Sequence, residues 1–182
     1  MIALSNTPVL TTERLILRAP TAADWPAWRA FSLSDRAAFV RAPDYDAQKA
    51  WRTFGTMIGQ WVLRGWGEFV FTLKGDDRAL GMVGPWFPEG WPEPEIAWMM
   101  WDTDHGGKGL ALEAARAAVA HALGPLGWDT AVSYIDPANT ASIRLAERLG
   151  AVLDPDAATP ELAESKTLLA YRHPKQEAAH DD

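Results

Sequence analysis

Residues Gly106-Gly107-Lys108-Gly109-Leu110-Ala111 join a glycine-rich turn to the start of an alanine-rich, helix-forming run. The first N–H groups of a helix lack intrahelical partners, and that end carries about half a positive charge. Glycines let the backbone come close to a ligand, so such a turn suits a phosphate or pyrophosphate. A tight strand-to-helix turn without a ligand has the same composition, so glycine alone does not decide. Two other phosphate loops are excluded. Lys108 is followed by Gly109 rather than Ser or Thr, and Asp102 stands where a P-loop needs its first glycine. A dinucleotide fingerprint starting at Gly107 would need a third glycine where Leu112 stands.

Other chemistries drop out on composition. The 182 residues include no cysteine, which removes disulfides, thiolate metal sites and a cysteine nucleophile. The four histidines have no metal-like spacing, so no metal is expected. The net charge of −7 disfavours a nucleic-acid partner and favours approach of cations, protonated amines included. Such a charge also simply keeps a protein soluble. No apolar stretch approaches the ~20 residues of a membrane span, and Met1–Thr12 lacks a signal-peptide pattern. A cytoplasmic protein without membrane contact is the expectation.

The elements that must position the glycine turn follow from periodicity. Leu15–Leu17 reads as a first strand. Thr21 offers an N-cap for a helix over Ala22–Leu33, carrying Trp25, Trp28 and Phe31. Asp46 caps a second helix whose apolar stripe is Trp51, Phe54, Ile58, Trp61 and Val62, ended by Gly65. Strands are expected at Glu68–Lys74, Ala79–Trp86, Glu95–Trp101, Thr130–Ile135 and Thr167–Tyr171. Helices follow Gly109 and span Thr140–Leu149. Four prolines between Pro85 and Pro94 make a rigid loop. This order gives one α+β domain with a mixed sheet, its core at about residues 12–173 and a disordered tail at 174–182.

Three motifs in this order resemble the GNAT acetyltransferase superfamily. His105-Gly-Gly-Lys-Gly-Leu-Ala-Leu-Glu-Ala-Ala115 is similar to its acyl-CoA signature, Arg/Gln-x-x-Gly-x-Gly/Ala, with Gly109 and Ala111 on the last fixed positions and Gly106 replacing Arg/Gln. Asn139-Thr-Ala-Ser142 with the helix to Gly150 resembles the second motif. Thr12-Glu-Arg-Leu-Ile-Leu-Arg18 and Tyr171-Arg-His-Pro174 resemble the ribosomal-protein N-terminal acetyltransferase branch.

The resemblance implies a mostly antiparallel sheet flanked by helices and splayed between the fourth and fifth predicted strands, Glu95–Trp101 and Thr130–Ile135. It implies acetyl-CoA as co-substrate, with its pyrophosphate on Gly106, Gly107, Lys108, Gly109, Leu110 and Ala111. The pantetheine arm would bond the backbone of Met99, Met100 and Trp101, and an N–H near Met99 or Met100 would hold the thioester oxygen. Asn139 would contact the arm, cap its own helix, or both. The acceptor is a primary amine, either a peptide N-terminus or a small molecule. Glu95 is the expected general base, since an ammonium must lose a proton before it attacks. The tyrosine that many relatives use as acid is replaced by Ala146, which leaves Ser142 as either proton donor or helix-backbone partner. Trp86, Phe87, Trp91 and Trp98 are expected to wall the acceptor pocket. Arg144 and Arg148 lie on one helical face, which either reaches a cofactor phosphate or, as is expected, stays solvated. The missing tyrosine also admits an inert acyl-CoA-binding module. A monomer or a homodimer fits the sequence equally.

Overall fold

A computed structural model describes residues 4–161 and 167–174. Its strands and helices alternate as the periodicity predicts, with two additional short strands. In chain order they are β1 (Leu10–Thr11), β2 (Leu15–Arg18), α1 (Trp25–Ser32), α2 (Ala47–Arg64), β3 (Phe69–Leu73), β4 (Gly81–Trp86), β5 (Glu95–Met100), α3 (Leu110–Leu123), β6 (Ala131–Ile135), α4 (Thr140–Arg148), β7 (Val152–Leu153) and β8 (Leu169–His173). They form one eight-stranded sheet, β1-β2-β3-β4-β5-β6-β8-β7, antiparallel except for β5 beside β6. This is an open α+β sheet with helices on its faces.

The sheet parts where the site is expected. β4 and β5 stay in register over six residue pairs from Gly81↔Met100 to Trp86↔Glu95, whereas β5 and β6 pair only at Glu95↔Val132. Side chains take over there. The Ser133 hydroxyl of β6 donates to the Ile96 carbonyl at 2.6 Å and lies 2.9 Å from His173 Nε2 of β8. The one hydroxyl proton goes to a carbonyl that can only accept, so His173 must donate from Nε2. Burial keeps the ring neutral, pushing the His173 pKa down to about 4.

Leu15 and Leu17 alternate with half-exposed neighbours and pack with Phe69 and Phe71 against Leu110, Ala114, Ala115 and Ala118. Alanines let α3 lie close on the sheet. On the other side, Trp28 and Phe31 of α1 meet Phe54 and Met57 of α2 over Val70 and Met82. Each such side chain contributes about 1.5–3 kcal/mol by leaving water.

Two expectations needed revision here. The first helix opens as a 3₁₀ turn over Ala22–Asp24, because Asp24 folds back to accept from the Thr21 N–H at 2.7 Å and from Arg18 through both oxygens. The buried stripe of α2 is Ala50, Phe54, Met57, Gln60 and Trp61, while Trp51 and Val62 stand 61% and 66% exposed. Gln60 is buried because its amide donates to the Pro85 carbonyl and accepts from the Phe87 N–H. The cap and stop of α2 are as expected: Asp46 accepts from the Lys49 N–H, and Gly65 closes the helix at φ +79°. The predicted tail, 174–182, lies outside the described residues except for Pro174.

Candidate active site

The Gly106–Ala111 turn crosses from the end of β5 to α3. Gly107 and Gly109 sit at φ +75° and +78°, a region that side-chain-bearing residues rarely adopt, and a Cβ at Gly107 would meet nothing within 4 Å. Gly109 is the N-cap of α3 and brings no side chain, so no cap occupies the first free N–H groups of the helix. Those open donors at a left-handed turn fit a pyrophosphate. Arg14 braces the turn through the Lys108 carbonyl at 3.1 Å and the Glu113 carboxylate at 2.6 Å. Beside it lies a cavity of about 670 Å³ lined in part by Arg14, Arg116 and Arg148. Arg148 is exposed, as a solvated face requires; Arg14 lies in the opening-strand motif, and Arg116 carried no motif signal.

The β5 ladder sorts the residues expected to hold the acyl arm. The Trp101 N–H donates to the Leu80 carbonyl at 2.8 Å, which removes it from the free donors. Alternate residues of an antiparallel strand turn their backbone groups to opposite sides. Met99 therefore faces β4 with Trp101, while Trp98 and Met100 turn to the splayed side. Met100 alone among Met99, Met100 and Trp101 keeps an N–H on that side. Its carbonyl accepts from Arg36 at 2.8 Å.

A second cavity, about 460 Å³, opens beside the splay. Its lining includes Glu95, Ser142, Asn139, Trp86, Trp91, Trp98 and Met99. Phe87 is not among the lining residues; its ring lies under the Arg64 guanidinium, 4.9 Å away. Trp28, Glu68, Arg41, Ser133 and Tyr134 line the cavity and were not foreseen. Their positions follow from sheet register and loop path, and no local pattern marks them.

Glu95 is 8% exposed. Its Oε2 accepts from Trp91 Nε1 at 2.7 Å, and the Tyr134 backbone N–H also donates to the carboxylate. Burial outweighs both donors and pushes the carboxyl up to about 7. Trp91 is held in place by its loop. Arg172 of β8 grips Glu93 through two nitrogens at 2.8 and 3.0 Å and also pairs with Asp154.

Asn139 caps α4 by accepting the Ser142 N–H at 3.2 Å. The Ser142 oxygen accepts from Trp98 Nε1 at 3.1 Å. With the cap supplied by Asn139, the Ser142 O–H has no described acceptor and is available to the cavity. Among the described residues no group of three or more acidic or imidazole side chains could hold a metal ion, and no helix is long and apolar enough to cross a membrane.

A family model for the acetyltransferase (GNAT) domain matches residues 14–152. The solved acetyltransferase from Agrobacterium tumefaciens strain C58 is 34% identical with a TM-score of 0.84, covering 96% of this chain and 98% of its own. A GNAT-family acetyltransferase from Bacillus anthracis is 20% identical at a TM-score of 0.70, covering 91% of this chain and 96% of its own. The ribosomal α-N-protein acetyltransferase RimL, solved in complex with coenzyme A, is 16% identical at a TM-score of 0.71, with 91% and 97% covered. The latter two similarities concern the fold. No curated protein matches the chain. With the family model spanning the glycine turn, the splayed strands and α4, the chain belongs to the GNAT family of acetyl-CoA-dependent N-acetyltransferases.

Proposed function

We propose that this protein transfers acetyl from acetyl-CoA to a primary amine by direct attack in a ternary complex. The observation that carries the reading is Glu95, a buried carboxyl with a pKa raised to about 7, in one cavity with Ser142 at the mouth of the splay. A base works best when its pKa lies near the working pH.

The pyrophosphate would rest on the backbone of Gly106–Ala111, with Lys108 adding charge and the Arg14, Arg116 and Arg148 groove beside it. Pantetheine would enter between β5 and β6, where Ser133 and a single strand pair leave room. RimL, which shares the fold, is solved in complex with coenzyme A, which supports a coenzyme A thioester as the co-substrate. The amine arrives as an ammonium and gives one proton to the Glu95 carboxylate. Deprotonating a lysine-like amine at pH 7 costs about 4–5 kcal/mol, against about 1.4 for an α-amine, so a local base matters in both cases. The neutral nitrogen then forms its bond to the thioester carbon, whose oxygen gathers negative charge at the Met100 N–H. As the C–S bond breaks, the nitrogen loses its second proton and the thiolate gains one. Ser142 is placed to pass it, because Trp98 already donates to its oxygen.

Incubation with acetyl-CoA and a panel of primary amines and peptides, read by product mass and thiol release, tests the proposal. An acetylated amine with one thiol released per product is the expected result. Tight acetyl-CoA binding with no product from any amine would contradict it.

A further inference from the structure

The cavity beside Glu95 contains a second acid that acetyl transfer as described leaves unused. Glu68 stands one residue before β3 and is 3% exposed. It lines the same cavity as Glu95, and its Oε1 is buried without a hydrogen-bond partner. None of the ion pairs among the described residues includes it. An unpartnered buried carboxyl is costly to a fold, which makes it a marker of something the cavity binds.

The surroundings define what that is. Phe69 pairs with Val83, which brings Glu68 to Gly84; on β5, Gly84 pairs with Ala97, two residues from Glu95. Neither Gly84 nor Ala97 has a side chain long enough to fill the space between the acids. Trp28, Trp86, Trp91 and Trp98 wall the same cavity, and aromatic faces favour cations with apolar stems. The other titratable groups lining it are Arg41, Tyr134 and Asp136. Arg41 donates to the Ser34 and Ala42 carbonyls through its terminal nitrogens while its Nε is buried without a partner; Tyr134 donates to the Ala158 carbonyl, and Asp136 accepts the Ala138 N–H.

We propose that Glu68 binds a second ammonium of the acceptor, so that the preferred substrate is a compact diamine with one nitrogen acetylated beside Glu95. The proposal rests on the acetyl-transfer reading of this cavity. Burial and the neighbouring Glu95 push the Glu68 carboxyl up to about 8, so it is mostly protonated at pH 7.5 when the cavity holds no cation. An ammonium alongside favours the ionised form, and a bound diamine therefore drives the Glu68 proton into solvent.

Three probes of equal chain length separate the ends: 1,4-diaminobutane, butylamine and 4-aminobutanoate. The diamine is expected to exceed butylamine in kcat/KM by about tenfold or more, with 4-aminobutanoate the poorest, since its carboxylate meets a buried acid. In Glu68→Gln the diamine-to-butylamine ratio should collapse toward one, mainly through KM. Calorimetry at pH 7.5 in buffers of different ionisation enthalpy should show more protons released by the diamine than by butylamine with the parent protein, and no such excess with Glu68→Gln. The parent protein's own ratio and proton release decide the matter if the variant fails to fold. Acetylation of butylamine without a diamine preference would overturn the Glu68 subsite alone, as would an unchanged ratio in Glu68→Gln or a preference for 4-aminobutanoate. No product from any of the three, with acetyl-CoA bound, would overturn the diamine proposal; only failure of the wider panel of amines and peptides would overturn the acetyl-transfer reading as well.

Discussion

At Glu95, desolvation and hydrogen bonding pull in opposite directions, and desolvation wins. The carboxylate is needed as a proton acceptor, so activity should fall as pH drops through about 7. Ser142 presents a different contrast. Its N–H is already capped by Asn139, so its hydroxyl is not what holds the first turn of α4. Ser142→Ala leaves the cap intact and removes only the acceptor of Trp98 Nε1, so the unfolding free energy should fall by about 0.5–1.5 kcal/mol. Single-turnover transfer should slow, most visibly with a poorer thiol leaving group. An unchanged chemical step would remove Ser142 as proton donor. Glu95 was named because the resembled branch places a glutamate at the start of this strand, and Ser142 because it stands three residues after Asn139 in the second motif. Glu68 was not. In sequence it is a polar residue ahead of a strand, and only the register with Gly84 buries it.

Elements carry the next set of forces. Ser133 links β5, β6 and β8 where the ladder has parted, and its removal leaves the Ile96 carbonyl and the His173 N–H without partners. Ser133→Ala should lower stability by about 1–3 kcal/mol, measured by denaturant unfolding. It should also weaken acetyl-CoA binding, since the splay loses its brace. Gly109→Val tests the cradle. A β-branched residue at φ +78° is strained whatever space surrounds it, so the turn must change shape. Acetyl-CoA should then add less to the thermal midpoint than it does in the parent; an undiminished shift would count against the cradle. The turn itself was readable from glycines and the helix behind them. The stripe of α2 was read one step off, because tryptophan and valine advertise burial that Trp51 and Val62 do not have. Gln60 advertises exposure, yet two backbone bonds pay for its burial. The two-residue strands β1 and β7 are too short to show an alternating pattern.

For the molecule as a whole, buried titratable groups set how stability follows pH. Glu68 and Glu95, with folded pKa values raised to about 8 and about 7, keep protons that the unfolded chain has lost. Their contribution is full below the ordinary value near 4.5 and is lost as pH rises through 7 to 8. His173 works in the other direction. Its pKa is held down to about 4, so its contribution is full above 6.5 and is lost as pH falls through about 4. The chain should thus lose stability on both sides of a mildly acidic optimum. Glu68→Gln should flatten the alkaline side, gaining a few kcal/mol over the parent between pH 5 and pH 9 in denaturant midpoints. Equal pH slopes in the two proteins would show that Glu68 does not titrate late.

The most direct test of the account is the pH profile of amine acetylation in the parent and in Glu95→Gln, at saturating acetyl-CoA. With Glu95 as the base, the parent should show an acid limb near pH 7. In Glu95→Gln that limb should vanish, with turnover about 10²–10⁴-fold lower at neutral pH and recovering as the amine deprotonates unaided at high pH. The thermal shift caused by acetyl-CoA should be the same in both proteins. Near-parental turnover of Glu95→Gln at pH 7, with the acid limb intact, would contradict the assignment of Glu95 as the base.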